Sequence, residues 1–176
     1  MKGYTQLKGP IQALLFANGD PLSVNKLVQI LKIPEENILA LIAELMQDMN
    51  GIHSGLTIVE VAGGYQICTK PELAAVVEEL AQVHETRLSL AAMETVAIIA
   101  FKQPVTKQEI DSIRGVKTDR VLTTLLERQL IKEIGRKEAI GRPILYGTTD
   151  AFLQCFGLKN LSELPPLADF LSEKQP

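Results

Sequence analysis

An internal repeat limits what this 176-residue chain can fold into more than any other feature of its sequence. The stretch ALLFANGDPLSVNKLVQILKI, residues 13–33, aligns without a gap on VAIIAFKQPVTKQEIDSIRGV, residues 96–116, at an offset of 83 residues. Each stretch contains a proline followed two residues later by a hydroxyl side chain, Pro21 and Ser23 in the first and Pro104 and Thr106 in the second. Because self-similarity at a fixed offset indicates repeated structural units, the chain is predicted to contain two similar modules in tandem.

The apolar spacing within each repeat predicts three helices. Ser23 and Thr106 stand where a hydroxyl can cap the second helix, and Thr106 with Glu109 three residues later matches a capping box. Pro34 is predicted at the first position of the third helix, and Thr118 at the N-cap of its counterpart. The gapless alignment continues into the third helix, where it places Ile38, Leu39 and Ile42 over Val121, Leu122 and Leu125.

After the third helix of each module, the pattern changes to that of β-hairpins. LTIVEV (56–61) and YQICT (65–69) predict one hairpin, and LIKEIGR (130–136) and PILYGTT (143–149) predict the other. A helix, a helix-turn-helix and a hairpin, in that order, make a winged helix. The chain is therefore predicted to be mostly α with small β-hairpins, an α+β fold of two tandem winged-helix domains. The predicted boundaries are 1–83 and 84–160, with a C-terminal tail at 161–176.

Composition argues against several classes of function. Two cysteines and two histidines, with no CxxC or HExxH spacing, do not form a metal site, and no cofactor is predicted. The first ten residues lack the apolar segment of a signal peptide, and no run reaches the roughly 20 apolar residues of a membrane span. We expect a soluble cytoplasmic protein. Since no nucleophile, base and third partner can be assembled, we expect that it is not an enzyme and has no catalytic residues.

The third helix of the first module has an unusually broad apolar side. Its apolar residues cover about 160° of the helix, wider than the roughly 100° that one core needs. Two interpretations stay open, a helix buried in one small domain and a second surface used for self-association. DNA binding by this module is disfavoured because residues 1–83 carry 5 basic and 9 acidic side chains.

The second module is more basic, since residues 84–147 carry 11 basic and 8 acidic side chains. Each exposed arginine could contact a phosphate or could pair with a neighbour such as Glu133 or Glu138. No Asn or Gln stands where a base-reading residue is expected, so specific DNA recognition is not predicted, although weak DNA contact stays open. The alternative function at this point is a dimeric winged-helix DNA-binding transcription regulator.

Several distinctive pieces occur in order along residues 88–167: AIIAFKQPVT, IRGV, LLERQLI, GRPILYGTT and FGLKNLSELP. Together they closely resemble the bacterial chromosome segregation and condensation protein B family. The resemblance implies tandem winged-helix proteins that form homodimers and bind the kleisin subunit, segregation and condensation protein A. Through the kleisin they join the SMC condensin complex, which organises and segregates the chromosome, so a location at the nucleoid is implied.

The resemblance also implies where the partners bind. In this family the N-terminal modules generally form the dimer, which the broad apolar helix suits, and the predicted dimer residues are Ile38, Leu41, Leu45 and Met49. The C-terminal modules hold the kleisin, and the predicted contacts are Arg114, Arg120, Arg128, Arg136, Arg142 and Tyr146. A structural interpretation competes with this one, because Arg142 could brace the hairpin and Tyr146 could pack on the helices.

Overall fold

In the computed structural model, which describes residues 4–81 and 88–165, the two halves of the chain fold around separate hydrophobic cores. They form the units Met1–Glu85 and Thr86–Pro176, called here the N-terminal and C-terminal units. Both combine α-helices with a small antiparallel sheet, so the predicted α+β class is confirmed. The predicted boundary between residues 83 and 84 and most of the predicted tail lie outside the described residues.

The N-terminal unit contains three helices, a hairpin and a fourth short helix. Its elements are α1 (Lys8–Asn18), α2 (Val24–Leu31), α3 (Glu35–Asp48), β1 (Leu56–Val61), β2 (Gly64–Thr69) and α4 (Ala74–Ala81). Strands β1 and β2 pair antiparallel over their full length, with Leu56 opposite Thr69 and Val61 opposite Gly64. Helix α3 packs against α1, α2 and β1, which places the core of this unit between the helices and the hairpin.

The C-terminal unit repeats this order and adds one short strand between its first two helices. Its elements are α5 (Leu90–Lys102), β3 (Val105–Thr106), α6 (Lys107–Arg114), α7 (Asp119–Glu127), β4 (Ile131–Arg136), β5 (Ile144–Thr148) and α8 (Asp150–Phe156). The strand order is β3-β5-β4. The sequence did not predict β3 or α8, because a two-residue strand and a seven-residue helix are too short to show a period.

The predicted caps of the second helices are confirmed. Ser23 Oγ accepts a hydrogen bond from the backbone N–H of Lys26 at 3.3 Å. In the capping box, Thr106 Oγ1 accepts from the N–H of Glu109 at 3.4 Å, and Glu109 Oε2 accepts from the N–H of Thr106 at 2.8 Å. These bonds satisfy backbone donors that a helix start leaves without an intrahelical partner.

The predictions for the third helices need correction. Pro34 lies at the N-cap, one residue before α3 begins, rather than at its first position. Thr118 is the N-cap of α7, but its hydroxyl makes no capping bond. It donates instead to Asp111 Oδ1 at 2.6 Å, because the carboxylate on α6 is a stronger acceptor within reach.

The repeat also shifts by one residue between the second and third helices. Helices α2 and α6 keep the offset of 83, but α3 begins at Glu35 and α7 at Asp119, an offset of 84. The buried side chains follow the new register: Ile38 corresponds to Leu122, and Leu41 to Leu125. The gapless alignment is therefore wrong in the third helix, because the turn before α7 contains one extra residue.

Candidate interaction surfaces

The four residues predicted to form the dimer lie in the core of the N-terminal unit. The exposed fractions are 0% for Ile38, 5% for Leu41 and Leu45, and 7% for Met49. A side chain covered by its own unit has no surface left for a second chain. Most of the apolar side of α3 is thus covered by α1, α2 and β1, while Leu39 on the same helix is 38% exposed.

A different face of the N-terminal unit is apolar and exposed. Helix α1 and the hairpin form a shallow groove lined by Gly9, Gln12, Ala13, Phe16, Leu56 and Ile67. Phe16 is 73% exposed and Leu56 is 37% exposed, and none of the lining side chains is charged. This face was not predicted from the sequence, because α1 is apolar on most sides and its pattern alone does not distinguish the buried side from the exposed one.

In the C-terminal unit, an ionic network fixes α7 to α6. Lys107 Nζ lies 2.9 Å from Asp111 Oδ2 and 3.0 Å from Asp119 Oδ1. The hydrogen bonds to Asp111 and then Asp119 raise the pKa of Lys107, and the bond from Lys107 is the main reason that the pKa of Asp111 is lowered. The hydrogen bonds therefore stabilise the charged forms of Lys107 and Asp111, and the contact with Asp119 connects α6 to the start of α7.

A second ion pair ties the tip of the β4–β5 hairpin to α6. Lys137 Nζ lies 2.6 Å from Glu109 Oε1, while the other carboxylate oxygen accepts the capping-box bond. The bond from Lys137, followed by the bonds from Thr106, lowers the pKa of Glu109 to about 2. The Glu109 carboxylate thus both caps α6 and holds the tip of the hairpin against α6, so the position of the exposed face of the hairpin is fixed.

Arg114, predicted to contact a partner, is mostly turned inward. Its side chain is 14% exposed and pairs with Glu94 on α5, and its Nε is buried with no hydrogen-bond partner among the described residues. Gly115 follows with a φ of 70°, the left-handed conformation that ends α6. Arg114 therefore fastens the end of α6 to α5 and offers little of its guanidinium to a partner.

Tyr146 belongs to the core rather than to the surface. It is 8% exposed and lies in β5, where it pairs with Val105 of β3. In the N-terminal unit, Tyr65 bridges Leu22, and Leu22 and Val105 correspond at the offset of 83. Both units thus place a tyrosine against the segment that precedes the second helix, which identifies a shared packing role.

The other four predicted contacts lie at the surface. Arg120 is exposed on α7, Arg128 is exposed at its C-cap, and Arg136 and Arg142 are exposed at the two ends of the hairpin loop. Arg136 Nη1 donates to the backbone carbonyl of Arg142 at 3.2 Å, so the hairpin is braced by Arg136 rather than by Arg142.

Three of these arginines keep their charge available. Within residues 88–165, Arg120, Arg136 and Arg142 form no ion pair, and Glu133 and Glu138 do not neutralise them. These three guanidinium groups, called here the arginine surface, can bind carboxylates or phosphates.

The exposed side of α7 has little capacity to read DNA bases. The hydroxyls of Thr123 and Thr124 donate to the carbonyls of Asp119 and Arg120, one turn earlier, at 3.1 and 3.0 Å. Exposed carboxylates of Asp119 and Glu127 lie at either end of the helix. A groove-reading helix needs free hydrogen-bonding side chains and no repulsion from phosphates, so α7 suits a protein partner better.

Within residues 4–81 and 88–165, no helix combines the length and apolar character needed to cross a membrane. The same residues contain no group of three or more His, Cys, Asp or Glu side chains arranged to hold a metal ion.

Sequence comparison gives one family and close relatives. The family model described as segregation and condensation complex subunit ScpB matches residues 9–167. The segregation and condensation protein B of Symbiobacterium thermophilum is 52% identical over 163 residues, which cover 93% of this chain and 74% of that protein. The protein of the same name from Desulforamulus reducens is 51% identical over 168 residues, covering 96% and 93% respectively.

Solved structures include related proteins. The crystal structure of ScpB from Mycobacterium tuberculosis shares 33% identity, covers 86% of this chain and 95% of its own, and superposes with a TM-score of 0.41. A dimer of an ScpB N-terminal domain complexed with ScpA peptide shares 35% identity, covers 44% of this chain and 96% of its own, and gives a TM-score of 0.42. Since both TM-scores are below 0.5, the family relationship rests on the sequence identities.

Proposed function

The chain belongs to the family of segregation and condensation complex subunit ScpB, and from this membership we propose that it is a non-catalytic accessory subunit of a bacterial SMC condensin complex. In this role a homodimer binds the kleisin subunit, segregation and condensation protein A, and through it serves chromosome condensation and segregation at the nucleoid. The observation that carries the proposal is the family match, which spans residues 9–167 and both structural units.

The architecture supports the proposal. Each unit has three helices followed by a hairpin, and in both units a hydroxyl side chain caps the start of the second helix. This is the order of a winged helix, so we assign one winged-helix domain to each unit. Fold alone does not fix function, and the exposed residues of each domain indicate what it binds.

For the homodimer we propose the uncharged face of α1 and the first hairpin, centred on Phe16. In a dimer with two-fold symmetry, the same face of each copy forms the interface. A charged side chain near the symmetry axis would therefore lie close to its own copy and be repelled by it. The groove around Phe16 has no charged residue, although the N-terminal module as a whole is acidic. This face can therefore pair with itself, and an exposed phenylalanine gives it the apolar area that such a contact needs.

For the kleisin we propose the arginine surface of the C-terminal unit. Arg136 and Arg142 lie on a hairpin that Glu109 and Lys137 hold against α6, so their backbone is positioned before a partner arrives. Exposed arginines on a fixed scaffold favour a segment that carries carboxylates.

Light scattering on a size-exclusion column tests the proposal, first with the protein alone and then with the kleisin encoded in the same genome. We expect a dimer that co-elutes with the kleisin. Phe16→Asp should convert the dimer to a monomer, because it places a charge opposite its own copy. Arg136→Glu with Arg142→Glu should weaken kleisin binding while the circular dichroism stays unchanged.

The matched control is Lys26→Glu with Lys32→Glu, the same change of charge at exposed positions of the N-terminal unit. Kleisin binding by the control should equal that of the parent protein. If Arg136→Glu with Arg142→Glu binds the kleisin undiminished, the arginine surface is not the interface. If the parent protein does not bind the kleisin but elutes earlier when mixed with duplex DNA at low salt, the proposed accessory-subunit function is wrong. The protein would then be a DNA-binding regulator.

A further inference from the structure

The first helices of the two units, α1 and α5, are buried to different extents. Each packs against the second strand of its hairpin, α1 against β2 and α5 against β5. Helix α1 buries Ile11 and Leu15, which are four residues apart and lie on one side of the helix. Helix α5 buries more side chains: Ala92, Thr95, Val96, Ile99 and Ala100. These residues fall into two adjacent rows, so a second side of this helix is covered in the C-terminal unit.

This second side corresponds to the open groove at Phe16. At the offset of 83 residues, Phe16 corresponds to Ile99, which is 0% exposed. A shift of one residue, like the shift between the second and third helices, would match Phe16 to Ala100, which is 7% exposed. Phe16 itself is 73% exposed. In either register, a face that is open in the N-terminal unit is closed in the C-terminal unit.

Helix α8 supplies side chains that close this face. It directly follows β5, and its Phe152 is 2% exposed and belongs to the same core as Ile99 and Ala100. Phe156, one turn later, is packed against that core, and its ring centroid lies 4.7 Å from that of Phe152. One side of α8 therefore adds two aromatic rings to the core that buries α5.

The described residues of the N-terminal unit include no counterpart of Phe152. Within them, the core of this unit contains no residue beyond Ile67 in β2. Residues 71–80, which follow the hairpin, are all exposed, and Val76 and Leu80 of α4 are 67% and 87% exposed. The segment after the second strand thus completes the core in one unit and contributes no buried side chain in the other.

Local hydrogen bonds hold α8 at the end of β5. Thr149 Oγ1 accepts a bond from the N–H of Phe152 at 3.2 Å, and the same hydroxyl donates to the backbone carbonyl of Gln129 at 2.5 Å. The N–H of Leu158 donates to the carbonyl of Leu153 at 2.8 Å, beyond the end of the helix. Because a helix of seven residues is not stable by itself, the position of α8 depends on these bonds and on its packing.

We propose that α8 is a cover that restricts self-association of this protein to its N-terminal unit. The inference rests on the proposed function, which assigns the homodimer to the face at Phe16. Without α8, the row formed by Ala92, Val96 and Ala100 would be an apolar face with no charge to repel its own copy. A chain with two self-pairing faces binds two other copies, so assembly would continue beyond the dimer. By filling one of the two faces, α8 limits assembly to a dimer.

Light scattering of the full chain at increasing concentration tests this inference. Phe152→Asp should displace α8, because a carboxylate in this apolar core has no partner. The parent should have twice the mass of one chain at every concentration, and the variant should exceed that mass increasingly as the concentration rises. Cys155→Asp is the matched control, since it adds the same charge at an exposed position of α8 and should stay a dimer.

A double variant distinguishes specific pairing from aggregation. Phe16→Asp alone should be a monomer. Phe16→Asp with Phe152→Asp should be a dimer and no larger, because only the uncovered face of α5 is left to pair.

A second way of displacing α8 leaves Phe152 in place. Thr149→Val with Leu153→Gly removes the cap and weakens the helix, and it should raise the mass in the same direction to a smaller extent. If circular dichroism shows that Phe152→Asp is unfolded, this pair of substitutions replaces it in both experiments.

The outcomes separate this inference from the proposed function. A mass that grows with concentration in the α8 variants, together with a dimer for the double variant, supports the cover. Dimers at every concentration in the α8 variants overturn it and leave the proposed function standing. A double variant that stays a monomer, or grows without limit, also overturns it. A parent that is not a dimer, or a Phe16→Asp variant that remains one, contradicts the proposed homodimer face and the cover with it.

Discussion

The N-terminal and C-terminal units use one scaffold and expose different chemistry. Helices α2 and α6 are both eight residues long, both begin after a capping hydroxyl, and both bury one central residue, Leu27 or Ile110, completely. Outside these cores the units differ, because the N-terminal unit has an uncharged groove at Phe16 and the C-terminal unit exposes Arg120, Arg136 and Arg142. The shared scaffold thus leaves its exposed positions free to differ, and these are the positions proposed above for partner binding.

Internal ion pairs create this difference. In the C-terminal unit, Lys137 pairs with Glu109 and Lys107 with Asp111, while Arg120, Arg136 and Arg142 are in no ion pair among residues 88–165. In the N-terminal unit, Lys8 is held by Glu44 and Asp48, both at 2.9 Å, which removes one of its few cations. Each of these pairs neutralises a cation together with one or two carboxylates, so the charges left for partners are those that lie outside the pairs.

Truncation of the matched core residues Leu27 and Ile110 tests whether the two cores are independent. Each is 0% exposed, so replacement by Ala should cost about 2–5 kcal/mol of the free energy of unfolding. Leu27→Ala should loosen only the N-terminal unit, and Ile110→Ala only the C-terminal unit. Hydrogen exchange in urea measures the protection of each unit separately.

Ile113→Ala is the control for these truncations, since Ile113 is 53% exposed and should cost much less. Equal loss of protection in both units after either core truncation would contradict two independent cores.

The C-terminal ends of α2 and α6 allow a second comparison of the two units, with a smaller expected effect on stability. Lys32 and Gly115 occupy the same position after α2 and α6, with φ of 55° and 70°. A side chain is strained in this left-handed conformation, and glycine is not. Lys32→Gly should therefore stabilise the N-terminal unit by about 1 kcal/mol, and Gly115→Lys should destabilise the C-terminal unit by a similar amount. Urea unfolding followed for each unit would show shifts of opposite sign, and shifts of the same sign would refute the matched strain.

The smallest effect concerns pH. The folded pKa of Glu109 is about 2, below its ordinary value of 4.5, so its contribution to stability is present above pH 4.5 and is lost as the pH falls towards 2. Glu109→Gln keeps the capping-box bond but removes the charge that pairs with Lys137. The variant should be less stable than the parent at pH 7, and the difference should disappear near pH 2. The difference should be small, because the two side chains are 43% and 48% exposed.

Thermal unfolding of the C-terminal unit from pH 2 to pH 7 measures this difference. Glu127→Gln, which removes an exposed carboxylate from α7 of the same unit, is the control and should not reproduce the pH dependence. A difference between Glu109→Gln and the parent that stays constant across the pH range would show that the ion pair does not carry it.

Some of the candidate surface could be read from the sequence and some could not. The family resemblance predicted Arg120, Arg128, Arg136 and Arg142 as partner contacts, and the structure places all four at the surface. Tyr146 and Arg114 were predicted beside them and instead serve the interior, since their orientation depends on Val105 and Glu94, distant in sequence. The exposed apolar faces at Phe16 and along α4 were not predicted from the sequence. An apolar pattern predicts that one face of a helix is buried, but it does not identify the residues that bury it.

The sequence by itself determined the two repeated modules, the helix starts at Ser23 and Thr106, the hairpins and the family. These features depend on the periodicity of apolar residues and on hydrogen bonds between residues within about one helical turn. Both depend only on residues that are close together in the sequence. The tertiary structure decided which apolar residues of α3 are buried, with Ile38 at 0% and Leu39 at 38% exposed, and which charges are paired. Lys8 reaches Asp48 across 40 residues and Lys137 reaches Glu109 across 28, so only the folded arrangement brings these groups within bonding distance.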